Sequence, residues 1–152
     1  LALRLTQFLT TFANSGEFVI AFVVIALLPA VGEEIVFRGM IQKELSRSVS
    51  IHAAIWISAA LFSAIHFQFF GFVPRLLLGA LFGYLYYWSG SLLLAMFAHF
   101  VNNGFIVVML LLYQRGQVEL DPNSTEALPL MVVVPATLLF AALLFQFKRQ
   151  QA

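Results

Sequence analysis

Residues 76–114 contain no Asp, Glu, Lys or Arg, and neither do residues 53–74 nor residues 127–147. Roughly 20 apolar residues suffice to carry a helix across a bilayer, and the first of these runs is long enough for two crossings. Runs of this kind leave few folds open. Inside hydrocarbon every backbone N–H and C=O must be paired within the protein, so only helices and closed barrels span. Barrel strands would alternate apolar and polar side chains at every second residue, which these runs do not do. Composition agrees: 62% of the residues are hydrophobic and 10% charged, against roughly 25% charged in a soluble domain. The chain is therefore predicted to be an all-α, polytopic transmembrane bundle. It would be a multi-pass integral membrane protein in contact with lipid, in the inner or plasma membrane if the source is bacterial. A net charge of +1 gives no reason to expect nucleic acid, and the absence of cysteine excludes disulfides and a thiolate nucleophile.

Five main helices are expected, over about 16–45, 51–67, 75–88, 92–113 and 128–147. The 152 residues read as one domain, and Leu1 in place of Met suggests that N-terminal helices of a longer protein precede it. Pro29 cannot donate to the carbonyl of Ile25 and should kink the first helix one turn before the charged stretch. Tyr84, Tyr86, Tyr87 and Trp88 resemble an interfacial aromatic belt. Gly79 and Gly83 form a GxxxG spacing, read as a packing surface for another backbone. "QRGQVELDPNSTEA" is the one markedly polar loop.

The stretch "GEEIVFRGM", residues 32–40, breaks this pattern by placing three charges next to the uncharged run 18–31. Glu34 and Arg38 are four apart and can pair on one helix face, with Gln42 continuing the stripe. Such a bridge could do no more than fix the helix against its neighbours. Glu33 faces a different direction, has Phe37 at i+4, and is left without a basic partner. An acid at mid-membrane costs about 2.5–3.5 kcal/mol on insertion scales, so it requires a proton, a metal or a polar partner on another helix. His66, closing the second helix, and His99 and Asn103, one turn apart on the fourth, are the candidates. Asn102 lies i+3 from His99, so spacing alone does not choose between the two asparagines. His52 is read as interfacial. The rise per residue puts Glu33 about 18 Å, His66 about 22 Å and His99 about 10 Å from the helix ends on one side, so convergence needs a tilt or a re-entrant start for the fourth helix.

Chemically, a carboxylate taken out of water is a stronger base than one in water, and a nearby histidine can hold the water it activates. A second histidine and an asparagine amide can stabilise the oxyanion formed when water adds to a peptide carbonyl. The set suits hydrolysis of an amide without a covalent intermediate. A zinc ion held by Glu33, His66 and His99 would do similar work, although the HExxH pattern is absent. Two other classes fit the composition: a non-catalytic membrane protein whose polar cluster ties helices together, and a proton-coupled transporter. The short chain without a repeated half disfavours the latter.

In order and helical setting, "EEIVFR" fits EExxxR, "FSAIH" fits FxxxH and "HFVNN" fits HxxxN. The segment from Pro29 to Asn103 thereby resembles the CPBP family of intramembrane proteases, which includes CAAX prenyl proteases and bacteriocin-processing or self-immunity proteins. The resemblance implies an intramembrane endopeptidase acting on a membrane-anchored or hydrophobic peptide. It implies Glu33 as the catalytic glutamate, Glu34 with Arg38 as supporting residues, His66 acting with Glu33 on water, and His99 with Asn103 as the oxyanion site. Phe62 is the FxxxH aromatic, expected to pack. Both metal-dependent and metal-free glutamate mechanisms are compatible with that family, and the alternative role is a bacteriocin-immunity or scaffold protein.

Overall fold

The computed structural model describes residues 10–69, 71–120 and 130–151, and among these every regular element is helical. Helix α1, Ser15–Leu45, opens on Asn14, whose side chain accepts from Glu17 N at 3.0 Å, so one of the unpaired first-turn donors is satisfied. The expected interruption at Pro29 takes another form. The helical backbone continues from Ser15 to Leu45, and a π-helical turn over Val23–Leu27 precedes the proline, with Leu28 N–H bonded to Val23 O. A second π segment, Ile35–Gln42, carries the charged motif; such bulges recur at functional sites.

Helix α2, Ile51–Ala64, is capped by Ser50 and ends earlier than expected. The chain then tightens into i−3 bonds, His66 N to Ser63 O at 3.4 Å and Phe67 N to Ala64 O at 3.1 Å. Phe67 takes a positive φ of 52°, an uncommon conformation for a bulky residue, so His66 sits on a sharp turn rather than on the helix. Helix α3, Phe72–Ser89, begins before the expected position. Pro74 falls in its first turn, where its missing N–H would have had no partner. Gly90, at φ 66°, ends α3 in the left-handed conformation, and Ser91 caps α4, Leu92–Gln114. Helix α5, Leu130–Gln151, belongs to a separate unit; its last turn carries Lys148 and Arg149, suitably placed for its C-terminal carbonyls. Residues 121–127 of the polar loop, and the expected first two positions of α5, lie outside the described residues.

Helices α1 and α4 are long and apolar enough to cross a membrane. On α4 the two faces separate cleanly: Leu93, Phe97, Val101 and Phe105, each four apart, are 74%, 61%, 50% and 65% exposed, whereas Ala95, His99, Gly104 and Val107 are buried. The polar groups thus point inward and the large apolar groups outward, as lipid demands.

The inner contacts are set by small residues. Helices α2 and α3 pack through Ile55, Ala59 and Ala80, and a Cβ on Gly79 would stand 3.1 Å from both Ala59 Cβ and Phe62 Cδ1. The same two glycines receive the α1 stripe: Arg38 Nη2 donates to Gly79 O at 2.7 Å, and Gln42 Nε2 donates to Gly83 O at 3.1 Å. The GxxxG spacing is therefore more than a packing surface, since the missing side chains leave the α3 carbonyls reachable from α1. Arg38 and Glu34 are fully buried and joined at 2.7 Å. Removing one member of such a pair leaves an uncompensated charge, while replacing both by apolar groups can be neutral.

Two outcomes follow for the purified protein in detergent. Glu34→Leu loses about 3–5 kcal/mol of stability, and adding Arg38→Met recovers most of it; a double variant no more stable than the single one contradicts this account of the pair. Gly83→Leu lowers the unfolding temperature markedly, because even a Cβ there would meet Gln42 Oε1 at 2.7 Å and Ile55 Cγ2 at 2.9 Å, and overpacking costs about 1–3 kcal/mol or more. An unchanged thermal scan refutes it.

Candidate active site

Glu34 is the residue around which the site is built. Its Oε1 accepts from Arg38 Nη1 at 2.7 Å and from His99 Nδ1 at 2.8 Å, so α1 and α4 are tied together through one carboxylate oxygen. Sequence spacing pairs Glu34 with Arg38 but gives no hint of the bond to His99. Because a carboxylate only accepts, His99 Nδ1 carries the proton and Nε2 is turned toward the site. Rings hold that orientation: Phe82 stacks on His99 at 4.9 Å and 16°, and Phe62 stands edge-on at 5.9 Å. The Arg38 guanidinium lies over Phe62 at 4.8 Å and Phe82 at 5.5 Å, which adds cation–π attraction to the pairing. Phe62 packs as expected. Phe82 was not singled out, although its position three residues after Gly79 and next to Gly83 places it on the α3 face that meets α1.

Glu33 Oε2 lies 3.8 Å from His99 Nε2, beyond a direct hydrogen bond but within a small side-chain shift of one, and the Glu33 side chain is 27% exposed. Asn103 Nδ2 is 3.2 Å from the same Nε2 and donates to Ile25 O at 3.1 Å. That carbonyl is the one Pro29 cannot serve, since proline has no N–H to return to position i−4. The proline thus frees an acceptor on α1, and the asparagine of α4 takes it. Asn102 Nδ2 donates to Asn103 Oδ1 at 3.1 Å, so both asparagines take part, one facing His99 and the other supporting it.

The depth difference between the helices is resolved at Gly39. A Cβ there would lie 3.4 Å from Leu92 Cδ2, so α4 starts level with Gly39, six residues or about 9 Å above the end of α1. His99 is thereby raised to the level of Glu33 and Glu34.

His66 occupies the turn after α2, with Nδ1 bonded to Phe62 O at 2.9 Å; the ring donates there, which leaves Nε2 as its free acceptor. Glu33, His66, Arg75, His99, Asn102 and Asn103 all line one cavity of about 400 Å³. Glu33 also borders an apolar groove of about 700 Å³ formed with Leu28, Gly32, Val36, Leu61 and Ile65. It therefore stands where a polar chamber meets a greasy surface. His52 is exposed and bonded to Tyr84 OH at 3.0 Å, in keeping with an interfacial position. No group of three His, Cys, Asp or Glu side chains among the described residues converges as a metal-binding set. His99, with Nδ1–H on Glu34, presents Nε2 toward Glu33 Oε2 at 3.8 Å and the Asn103 amide at 3.2 Å, the tautomer that a metal-binding histidine also uses.

The family model for type II CAAX prenyl endopeptidase Rce1-like proteins matches residues 15–105, a span that includes the whole cavity wall except Ile106. Over 81 residues the chain is 32% identical to an uncharacterized protein, YpbD, of Bacillus subtilis (strain 168), covering 51% of this chain and 39% of that protein. No solved structure matches the chain. The matched span contains the EExxxR, FxxxH and HxxxN residues, and by this match over more than half of its length the chain belongs to the membrane-embedded type II CAAX prenyl endopeptidase Rce1-like family.

Proposed function

We propose that this multi-pass chain hydrolyses a peptide bond in a membrane-anchored or hydrophobic peptide, with Glu33 as the general base and no covalent intermediate. One observation carries the reading: Glu33 of α1, His66 of the turn after α2, and His99 and Asn103 of α4 face a single cavity. The family name, a CAAX prenyl endopeptidase, points to the same reaction class. The chain spans 39% of the length of the curated relative it matches.

Charge balance suggests how the residues divide the work. Glu33, Glu34 and Arg38 sum to one negative charge when ionised, and a His99 carrying a proton on both ring nitrogens brings the cluster to neutrality. The His99 imidazolium then donates from Nδ1 to Glu34 and from Nε2 into the cavity. A water held between Glu33 and His66 Nε2 gives one proton to Glu33 as its oxygen adds to the scissile carbonyl carbon. The carbonyl oxygen gains the negative charge and is met by His99 Nε2–H and Asn103 Nδ2–H. Glu33 passes its proton to the amide nitrogen, the C–N bond breaks, and acid and amine products leave. Glu34 and Arg38 take no part in these transfers; they fix the His99 ring.

Reconstituted Glu33→Gln protein is expected to lose roughly 10²- to 10⁴-fold in cleavage of a fluorogenic membrane-anchored peptide, with an unchanged melting temperature. Cleavage at the wild-type rate would sink the assignment and favour a scaffold or immunity role. Pro29→Ala returns a local donor to Ile25 O and competes with Asn103. It should slow cleavage by roughly tenfold, less than the 10²- to 10³-fold typical of deleting an oxyanion donor, without lowering stability. A rate equal to wild type would show that the Ile25 carbonyl does not set the asparagine.

A further inference from the structure

Helix α2 has 14 residues, about 21 Å of rise, which falls short of the roughly 30 Å of hydrocarbon in a bilayer. Its neighbours fix the level at which it stops. Phe62, on its last turn, stands 5.9 Å from the His99 ring and 5.4 Å from that of His66, and His66 shares a cavity with Glu33 and His99. The chain therefore turns back beside the polar cluster. Beyond that level, in the direction in which α2 was heading, α1 runs on for about 25 Å to Ser15 and α4 for about 22 Å to Gln114. Both present large apolar side chains outward over this stretch, Val19, Ile20 and Val24 on α1 and Val101, Phe105 and Ile106 on α4, so hydrocarbon continues past the turn. Among the described residues only α1 and α4 are long and apolar enough to cross.

The turn has two sides. On one, its polar groups are served by near neighbours: His66 N and Phe67 N donate to Ser63 O and Ala64 O, Ser63 Oγ donates to Phe72 O at 2.7 Å, and Gln68 O and Oε1 accept from Arg75. On the other stand Phe67 and Phe69, 94% and 88% exposed, and neither belongs to the cavity wall. Irregular backbone at membrane depth is tolerated where its polar groups are paired or line a cavity.

We propose that α2 and α3 form a re-entrant hairpin, which enters and leaves the bilayer on one side, and that Phe67 and Phe69 hold its turn inside the hydrocarbon by packing against lipid acyl chains. The occupant of this surface follows from its surroundings. The outward faces of α1 and α4 are apolar at the level of the turn and beyond it, so acyl chains are what the two rings meet there. Phe67 takes a φ of 52°, which is costly for a bulky residue, and moving its ring from water into hydrocarbon offsets that cost. The α2–α3 rim of the polar chamber thus borders lipid, and His66, one residue from Phe67, sits at a depth set by the acyl chains. This placement does not depend on the hydrolytic reading.

The chain contains no cysteine, so one nitroxide label can be placed through Phe67→Cys or Phe69→Cys in the full chain, reconstituted in dioleoyl phosphatidylethanolamine and phosphatidylglycerol vesicles. Phe97→Cys, on the outward face of α4 near the level of His99, gives the lipid reference, and Ser48→Cys, exposed in the turn before α2, gives the aqueous one. Labels at 67 and 69 should relax with dissolved oxygen as the label at 97 does, and should lose the relaxation by a water-soluble nickel chelate that the label at 48 shows. Nickel relaxation equal to that at 48 puts the turn in water and overturns the inference. So does weak relaxation by both reagents, which means that protein, a second copy or another segment, covers the rings. A second measurement needs no substitution: wild-type protein is irradiated in the same vesicles doped with a phospholipid carrying a diazirine midway along its acyl chain. Crosslinks should appear on the peptide bearing Phe67 and Phe69 as well as on the one bearing Phe97; crosslinks at Phe97 with none at the turn refute the hairpin. Both readouts report position alone, so an inactive protein that gives them removes the hydrolase reading and leaves the hairpin standing.

Discussion

A single carboxylate oxygen, Glu34 Oε1, holds the membrane-embedded part of this protein in register. It accepts from Arg38 on its own helix and from His99 on α4, and Arg38 in turn reaches the Gly79 carbonyl of α3. Burying two charges is costly by several kcal/mol per ion, and attraction between them repays this only when the remaining donors and acceptors are also used. Glu34 Oε1 and both Arg38 Nη atoms are used across three helices, while Glu34 Oε2 and Arg38 Nε have no hydrogen-bond partner, so the pair that looks intrahelical in the sequence acts as a tertiary bolt. Apolar packing in lipid supplies little preference for one helix register over another. A directional bolt supplies it.

The second organising device is a missing hydrogen bond. Pro29 withdraws one donor from α1, a π-helical turn widens the helix just ahead of it, and Asn103 fills the acceptor that results. Backbone irregularity at membrane depth is tolerated where another helix satisfies the freed group. The consequence is local but decisive: Asn103 is oriented by a backbone carbonyl of α1 and so meets His99 Nε2 from a fixed direction. Glu34 fixes the other side of the same imidazole. Between them, the two contacts leave His99 little freedom, which suits the oxyanion role proposed for it.

Helix number, approximate spans and the inward-facing polar residues were legible in the sequence, because long uncharged runs and intramembrane charges carry strong energetic penalties that admit few solutions. Boundaries were less so. His66 lies on a turn beyond α2, since the last bonds tighten to i−3 and Phe67 takes a positive φ; no residue there announces it, as the position would ordinarily call for Gly or Asn. Phe82 and the second role of Glu34 were invisible for a related reason. An aromatic in an apolar helix, or an acid with a partner four residues on, is already accounted for locally, and nothing in one dimension points to a further contact.

By itself the sequence determined that the chain is a bundle of apolar helices, that Glu33 has no partner on its own helix, and that His66, His99 and an asparagine must look inward. These follow from the cost of charge and of unpaired polar groups in hydrocarbon, which depends on residue type and spacing alone. Tertiary structure decided which groups meet. The deeper start of α4 at Gly39, the docking of the α1 stripe onto two α3 glycine carbonyls, and the shared use of Glu34 all depend on the offset between helices. That offset is set by side chains far apart in the chain, and a periodicity read along one helix carries no information about it.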